Sequence, residues 1–257
     1  MAQKILVTGP NGFVGKNIMA AMPEAIPVPN LRGDEAEVAA RVRDADIIIH
    51  TAAISNMGKC EEDPDASYRA NVLLPLWIAK AADHAKLVFF STDQVYNGCV
   101  ENGPYTEETT NPINVYARHK LEMEQRVLDL RPDAVMLRAT WMFDWEKGFV
   151  SNLWHSCGAV TAPMQYRGLT YVREVAENMR NAILLPGGAY NFGSENTLTM
   201  RQTTEYTLAC LGKEHPVVDG EKRHNLWMNT DKAQAHGIRF RSSIDGIRAC
   251  INESEDE

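Results

Sequence analysis

The sequence has few cysteines, and their spacing suits neither a disulfide framework nor a metal site. Five cysteines are spread over 257 residues, and no two of them form a Cys-x-x-Cys pair. An odd number of widely spaced cysteines argues against both a disulfide-stapled domain and a zinc site. We therefore expect no bound metal ion and a reducing compartment, of which the cytoplasm is the simplest.

Long hydrophobic runs and an excess of basic charge are also missing. No uninterrupted apolar run approaches the about 18 residues that a membrane-spanning helix needs, and no basic and apolar leader precedes the first predicted strand. The formal net charge is −8, whereas phosphate-backbone recognition requires a concentrated basic surface. These absences predict a protein that is not exported, spans no membrane and has no nucleic acid partner.

A glycine-rich turn stands between a strand and a helix near the beginning of the chain. Residues 4–7 predict a buried strand and residues 16–22 a helix. Glycines between them permit a tight turn and a close approach to a diphosphate, which the helix N-terminus attracts. Such a turn alone is weak evidence for a dinucleotide, but its place in the first strand–helix unit strengthens it. The expected cofactor contacts are Gly9, Asn11, Gly12, Phe13, Val14 and Gly15.

The residues after the predicted second strand bear on which dinucleotide binds. Residues 25–28 can form that strand, although its proline favours an irregular or edge position. No acidic residue stands at its end to bind the adenosine ribose, and Arg32 follows instead, where a guanidinium accommodates a ribose phosphate. The sequence therefore favours NADPH, with NAD as the alternative cofactor. A solvated loop charge is the other interpretation of Arg32.

A hydroxyl at a strand end and a Tyr/Lys pair on a helix form the central pattern of the chain. The apolar run over 87–90 predicts that Thr92 emerges where a buried parallel strand ends, which is where open α/β sheets bind ligands. Tyr116 and Lys120 lie one turn apart on a predicted helix over 116–130, so they share a face. A phenol with a pKa near ~10 exchanges a proton at neutral pH only if positive charge stabilises its phenolate, and Lys120 would supply that charge. Taken alone, such a pair is usually ordinary helix surface.

Two longer motifs enclose these three residues. Residues 91–96 read Ser-Thr-Asp-Gln-Val-Tyr, and residues 111–120 read Asn-Pro-Ile-Asn-Val-Tyr-Ala-Arg-His-Lys. In both motifs the chain resembles the extended short-chain dehydrogenases/reductases. Among these enzymes, it most resembles the dTDP-4-dehydrorhamnose reductases. The resemblance implies that Tyr116 is the proton donor, that Lys120 activates it and binds a ribose, and that Thr92 orients the substrate carbonyl.

The resemblance also implies which other residues surround the cofactor and the substrate. The turn after a predicted strand over 46–50 and an asparagine on a predicted helix over 66–82 would serve the cofactor: Ala52, Ala53, Ile54 and Asn71. The expected substrate contacts are Ser55, Asn56, Met57, Asp93, Trp141 and Arg167. For Trp141 a core position is an equal alternative. Arg167 is the candidate phosphate contact, because a guanidinium forms paired charged hydrogen bonds to phosphate.

The later part of the chain follows the family less closely. Residues 164–170 keep only Gln165 and Thr170 of the family's Asp-Gln-x-Gly-x-Pro-Thr segment, and Ala117 stands where the family usually has glycine. This departure leaves the exact substrate open.

The expected fold class is α/β, with a Rossmann-type doubly wound parallel sheet and a small interleaved C-terminal α/β substrate lobe. Residues 1–148 with 171–188 are assigned to the NAD(P)-binding domain, and residues 149–170 with 189–257 to the substrate-binding lobe. The predicted helix over 66–82 has more apolar residues than one buried stripe requires. A homodimer contact and burial on two sides within the chain are equal alternatives for it.

The function implied by the resemblance is NAD(P)H-dependent reduction of a keto group on a small-molecule substrate, a deoxysugar nucleotide. A sugar-nucleotide epimerase or dehydratase is less favoured, because Gln94 stands where a dehydratase needs a second acid beside Asp93. The non-enzymatic alternative is a regulatory subunit that binds NADP, as in methionine adenosyltransferase. The intact set of Thr92, Tyr116 and Lys120 argues for the enzyme.

Overall fold

Six short parallel strands form the central sheet of the computed structural model, which describes residues 3–31 and 33–255. Their bounds are β1 Ile5–Thr8, β2 Ile26–Val28, β3 Ile47–His50, β4 Lys86–Thr92, β5 Val135–Ala139 and β9 Gly188–Phe192. They lie in the order β2-β1-β3-β4-β5-β9. The strands β1, β3, β4 and β5 are almost wholly buried, as expected of strands covered on both faces. The proline-containing β2 occupies an edge of the sheet, as predicted.

Helices cover both faces of this sheet. The helix bounds are α1 Phe13–Ala21, α2 Glu35–Val42, α3 Met57–Glu62, α4 Pro64–Tyr68, α5 Leu74–Ala81, α6 Val115–Leu130, α7 Phe149–Trp154, α8 Val172–Glu177, α9 Met179–Ile183, α10 Met200–Cys210, α11 Asp231–Ala235 and α12 Ser243–Glu255. One core lies between the sheet and α1, α8, α9 and α11, and a second lies between the sheet and α2, α5 and α6. The doubly wound Rossmann-type fold is therefore confirmed.

The strand order places a crevice at the ends of β1 and β3. β1 pairs in parallel with β2 on one side and with β3 on the other, so the chain changes direction across the sheet at this point. Ligands of open α/β sheets bind at such a switch point, outside the carboxyl ends of the strands. The hydroxyl of Thr51, just after β3, donates to the carbonyl of Thr8 at 2.7 Å, which joins the two strand ends.

A smaller lobe is built on two pairs of short parallel strands. β6 (Trp141–Phe143) pairs with β8 (Leu169–Tyr171), and β7 (Val160–Met164) pairs with β10 (Val217–Lys222). Residues of these strands and of α7, α10 and α12 share a separate apolar core. The lobe lies above the carboxyl end of the sheet, because β6 begins two residues after β5 ends.

Two predictions about segment assignment were wrong. The predicted domain boundary at residue 188 cuts through β9, which pairs with β5 along its whole length and so belongs to the main sheet. Its Tyr190 and Phe192, together with Ala233 and Ile238 further along, lie in the core of the main domain. A five-residue apolar strand does not show which sheet it joins, because pairing depends on distant partners.

The predicted single α-helix over 66–82 is interrupted. A π-helical turn, Arg69–Leu73, separates α4 from α5. The apolar residues of α5 are mostly buried within the chain itself, with Leu74, Leu76 and Ile78 in the core beside the sheet. Burial inside the chain accounts for them, and a homodimer contact stays a prediction.

Candidate active site

The turn after β1 forms a close-packed glycine cradle. Gly9 has φ of +70°, and a Cβ added at Gly15 would lie 2.1 Å from the carbonyl oxygen of Gly9. The N–H of Gly12 donates to that same oxygen at 2.9 Å. Among the residues that the structure describes, no side chain caps α1 and none in its first turn is acidic. The N–H groups at the start of α1 are therefore available to an anion, and the cradle fits the diphosphate of a dinucleotide.

The turn after β3 faces this cradle across a very short distance. A Cβ on Gly9 would lie 2.8 Å from the backbone nitrogen of Ala52, so only small groups fit between the two turns. The neighbouring Ile54 is held by the buried Asn71, whose side chain accepts from the Ile54 N–H at 3.1 Å and donates to its carbonyl at 3.0 Å. Ala53 is exposed between them. Ala52, Ala53 and Ile54 therefore lie along one edge of the crevice, and the predicted Asn71 holds that turn from inside the protein.

Arg32, predicted to select NADPH, lies outside the residues that the structure describes. The turn around it is bordered by two other guanidinium groups: Arg41 donates to the carbonyl of Asn30 at 3.2 Å, and Arg69 donates to that of Gly33 at 2.6 Å. The nearest carboxylates, of Asp34 and Glu37, form the capping box of α2. These carboxylates are thus engaged in the helix cap.

The predicted catalytic residues come together where β4 ends against α6. Thr92 is the last residue of β4, and its hydroxyl accepts from the N–H of Gln94 at 3.2 Å, which caps the 3₁₀ turn Asp93–Tyr96. Asn114 caps α6 by accepting from the N–H of Ala117 at 2.7 Å. Tyr116 and Lys120 are both buried on the face of α6 that meets β4, and Tyr116 lies near enough to Thr92 for the Thr92 side chain to influence its pKa.

The surroundings of Tyr116 keep its phenol protonated. Burial raises the pKa of Tyr116 well above its usual range, and the carboxylate of Asp93 raises it further. The Thr92 side chain and the guanidinium of Arg167 act in the opposite direction and lower this pKa. A protonated phenol next to a strand-end hydroxyl can donate a proton to an oxygen bound between them.

Lys120 is a buried ammonium. Burial lowers the pKa of Lys120 to about 8, and the carboxylate of Glu124 opposes that shift. In the described part of the chain, its Nζ makes no direct hydrogen bond. An ammonium in this position can donate to the hydroxyls of a ribose bound in the crevice.

His50 of β3 lies close to Lys120 but is not a base at physiological pH. Its Nδ1 is 2.7 Å from the hydroxyl of Thr8, and the side chain is 1% exposed. Burial, and then the positive charge of Lys120, lower the pKa of His50 to about 3. The imidazole is therefore neutral.

Three of the predicted substrate contacts form one cluster beside Tyr116. Arg167 donates from Nε and Nη2 to the two carboxylate oxygens of Asp93, at 2.7 and 3.0 Å. Its guanidinium lies 5.4 Å from the ring centroid of Trp141. Asp93 is 1% exposed and the Arg167 side chain 18%, so the arginine presents one free edge to the cleft. The ion pair with Asp93 was not predicted, because the two residues are 74 positions apart in the chain.

The other predicted substrate contacts lie at the opposite rim of the cleft. Ser55, Asn56 and Met57 are exposed, and the Asn56 side chain caps α3 by accepting from the N–H of Lys59 at 2.9 Å. The sulfur of Met57 lies 3.5 Å from the side-chain nitrogen of Asn114, which begins α6. These residues therefore border the entrance beside the catalytic helix.

Sequence reasoning missed a buried charged group behind the catalytic residues. Glu124, one turn after Lys120 on α6, forms an ion pair with Arg138 of β5. The spacing from Lys120 was a usable signal, since a glutamate on the buried face of a helix requires a partner.

Within residues 3–31 and 33–255, no group of three or more His, Cys, Asp or Glu side chains could hold a metal ion. No helix of that part of the chain is long and apolar enough to cross a membrane.

The Rossmann-type sheet, the glycine cradle and the Thr/Tyr/Lys arrangement together define an extended short-chain dehydrogenase/reductase. More narrowly, the chain belongs to the RmlD substrate binding domain family, whose model matches residues 3–211. The resemblance to this family is thereby confirmed.

Two groups of curated proteins are similar to the chain in sequence. The dTDP-4-dehydrorhamnose reductase of Mycolicibacterium smegmatis is 35% identical over 153 residues, which cover 56% of this chain and 47% of that protein. Methionine adenosyltransferase 2 subunit beta of Mus musculus is 30% identical over 244 residues, which cover 81% of this chain and 69% of that protein. The chain thus spans about half the length of the reductases that it matches.

Solved structures extend the likeness in fold to the whole chain. A dTDP-4-dehydrorhamnose reductase of Clostridium acetobutylicum superposes with a TM-score of 0.89 at 23% identity, covering 98% of this chain and 99% of that one. The dTDP-4-dehydrorhamnose reductase of Bacillus anthracis in complex with NADP has a TM-score of 0.86 at 20% identity, covering 98% of this chain and 100% of that one. At these identities the likeness is one of fold.

Proposed function

We propose that this protein is an NAD(P)H-dependent reductase that acts on a keto group of a sugar nucleotide. The observation that carries the proposal is the buried, protonated phenol of Tyr116, which lies near the strand-end hydroxyl of Thr92 and one helical turn from the buried ammonium of Lys120. This group lies at the carboxyl end of the sheet, beside the glycine cradle, where a dinucleotide and a ketone would meet.

The residues divide the reaction between them. When bound, a reduced nicotinamide supplies the hydride for the carbonyl carbon. The Thr92 hydroxyl holds the carbonyl oxygen by donating a hydrogen bond to it, and Tyr116 gives its proton to that oxygen as the negative charge develops. Lys120 holds the ribose and stabilises the phenolate that Tyr116 becomes. The products are an alcohol and a deprotonated Tyr116, which takes a proton back from solvent.

NADPH is the proposed cofactor, with NAD as the alternative. The turn after β2 is bordered by Arg41 and Arg69, and its nearest carboxylates are engaged in the cap of α2. An adenosine 2′-phosphate would therefore meet positive charge there. The Bacillus anthracis relative binds NADP, which supports the same choice.

Replacing Arg32 by alanine should weaken NADPH binding and leave NADH binding nearly unchanged, because only NADPH carries the extra phosphate. The expected loss is about 1.5–3 kcal/mol, the range for hydrogen bonds to charged groups. Fluorescence titration of both cofactors at fixed salt measures it, and Arg180→Ala, an exposed arginine of α9 paired with Glu24, is the control. Equal affinities of the unmodified protein for the two cofactors would contradict the assignment.

The proposed substrate class is a sugar nucleotide bound between the sheet and the smaller lobe. Its supports are the family membership and the free edge of Arg167 in the cleft, which can meet a phosphate or a sugar oxygen. The division into a cofactor domain and a substrate lobe, with β9 moved to the former, is part of this proposal. NADPH oxidation measured against a panel of keto-sugar nucleotides and simple ketones tests it. Activity with simple ketones alone would overturn the sugar-nucleotide assignment.

Replacing Arg167 by alanine should raise the substrate KM by about tenfold or more, since a charged hydrogen bond contributes about 1.5–3 kcal/mol. The affinity for NADPH should change little. Arg173→Ala is a matched control, because Arg173 is six residues further along and its ion pair with Glu253 is exposed. Equal effects on substrate and cofactor would indicate damage to the fold instead.

A second candidate function is a regulatory subunit that binds NADP without turnover. The observation that favours it is the match to methionine adenosyltransferase 2 subunit beta, which covers 81% of this chain. Co-purification and activity of a methionine adenosyltransferase catalytic subunit with this chain test it. A complex that binds NADPH but oxidises it with no member of the ketone panel would favour the regulatory role.

A further inference from the structure

A charged pair is sealed behind the catalytic helix. The Arg138 side chain donates to the Glu124 carboxylate from Nε at 3.1 Å to each oxygen and from Nη2 at 2.6 Å. The side chains are 4% and 2% exposed. Removing two charges from water costs free energy that a buried ion pair often fails to recover, so apolar residues would serve stability at least as well. The pair therefore calls for a reason other than stability.

The pair is tied to both elements that carry catalytic residues. The hydroxyl of Ser91, the neighbour of Thr92 on β4, donates to the Glu124 carboxylate. On the far side, Nη1 of Arg138 donates to the Tyr96 hydroxyl at 3.0 Å and to the carbonyl of Glu107 at 2.6 Å. The Glu124 carboxylate is thus held by Ser91 of β4 and Arg138 of β5, so a shift of it would disturb β4 and α6 together.

The carboxylate of Glu124 also acts on Lys120, one turn earlier on the same buried face. The other titratable groups around Lys120 do not supply the same negative charge. His50 of β3 is neutral, with its pKa lowered to about 3 by burial and by Lys120, and the pKa of Tyr116 is raised by burial. Arg138 of β5 is paired with Glu124 itself.

Two further carboxylates near α6 are engaged elsewhere. Asp93 of the 3₁₀ turn pairs with Arg167. Glu61 of α3 accepts from the N–H of Val115 at 2.8 Å, at the start of α6. Among the described residues, Glu124 is the group that raises the pKa of Lys120 against the effect of burial.

We propose that Glu124, clamped by Arg138 and Ser91, is a positioning residue whose fixed buried charge, one helical turn from Lys120, keeps the Lys120 ammonium in its charged form. The inference rests on the proposed reductase function for its kinetic readout alone. The charge of Lys120 is measurable without turnover.

The test compares Glu124→Gln with Glu122→Gln, a control at an exposed position of the same helix whose carboxylate pairs with Arg126. Nitrogen-15 NMR of labelled lysine, assigned with Lys120→Met, follows the titration of Lys120 in the free protein. In Glu124→Gln the pKa of Lys120 should fall by about one unit or more, the usual effect of losing a close opposite charge. The alkaline limb of the turnover profile should move to lower pH by the same amount, and Glu122→Gln should match the unmodified protein in both.

Because Glu124→Gln leaves the Arg138 charge without its partner, Glu124→Gln/Arg138→Met is the second variant, from which both charges are removed. A lowered Lys120 pKa in the folded double variant supports the proposal, because no unpaired Arg138 charge is left there to lower it. An unchanged Lys120 pKa in the folded double variant overturns the proposal and leaves Glu124 a purely structural role. If the unmodified protein turns over no ketone, the reductase function fails, whereas the NMR titration still decides the role of Glu124.

Discussion

Tyr116→Phe is expected to lower turnover by roughly 10²-fold or more, the scale of general acid catalysis, while the fold and the affinity for NADPH are retained. The substitution removes the proton that the mechanism delivers to the substrate oxygen and leaves the ring packed as before. The phenol of Tyr116 is buried and its pKa is raised, so it carries its proton throughout the neutral range. Steady-state turnover at saturating NADPH and substrate is the measurement.

The control for this variant is Tyr68→Phe. Tyr68 ends α4, which packs against α6, and its hydroxyl bonds to Glu122 at 2.8 Å and to Arg126 at 2.6 Å, away from the catalytic residues. It should keep normal turnover. Near-normal turnover by a folded Tyr116→Phe protein would remove Tyr116 from the mechanism.

Arg138→Met should destabilise the fold by about 3–5 kcal/mol, because it leaves the Glu124 carboxylate buried without its partner. For a chain of this size that loss corresponds to a Tm lower by about 6–20 °C. Two-state denaturant unfolding, with thermal unfolding beside it, measures the change.

Arg126→Met is the matched control. It breaks the ion pair between Arg126 and Glu122 on α6, the helix that carries Glu124, and the Arg126 side chain is 44% exposed. Exposed pairs of this kind contribute about 0.2–1 kcal/mol, so the two arginines should differ several-fold in effect. Similar small losses in both variants would contradict this prediction and mean that the buried pair contributes no more to stability than the exposed one.

Much of the main sheet was predictable, because local patterns decide it. The sequences of β1, β3, β4 and β5 are short apolar runs that end in turns, and this pattern is typical of strands buried on both faces of a sheet. The glycine cradle was predictable for a similar reason, since the positive φ of Gly9 and the close approach of Gly15 to the Gly9 carbonyl leave no room for a Cβ. Where β9 would pair was not predictable, because strand pairing depends on residues far away in the chain.

In the candidate site, too, the features set by local sequence were predictable and the contacts between distant segments were not. The sequence by itself determined the positions of Thr92, Tyr116 and Lys120, because a strand end and a one-turn helix spacing are local geometry. Only the tertiary structure decided that Arg167 meets Asp93 and that Glu124 meets Arg138. Those side chains come from separate elements, and a buried charge finds its partner only when packing brings the elements together and excludes water between them.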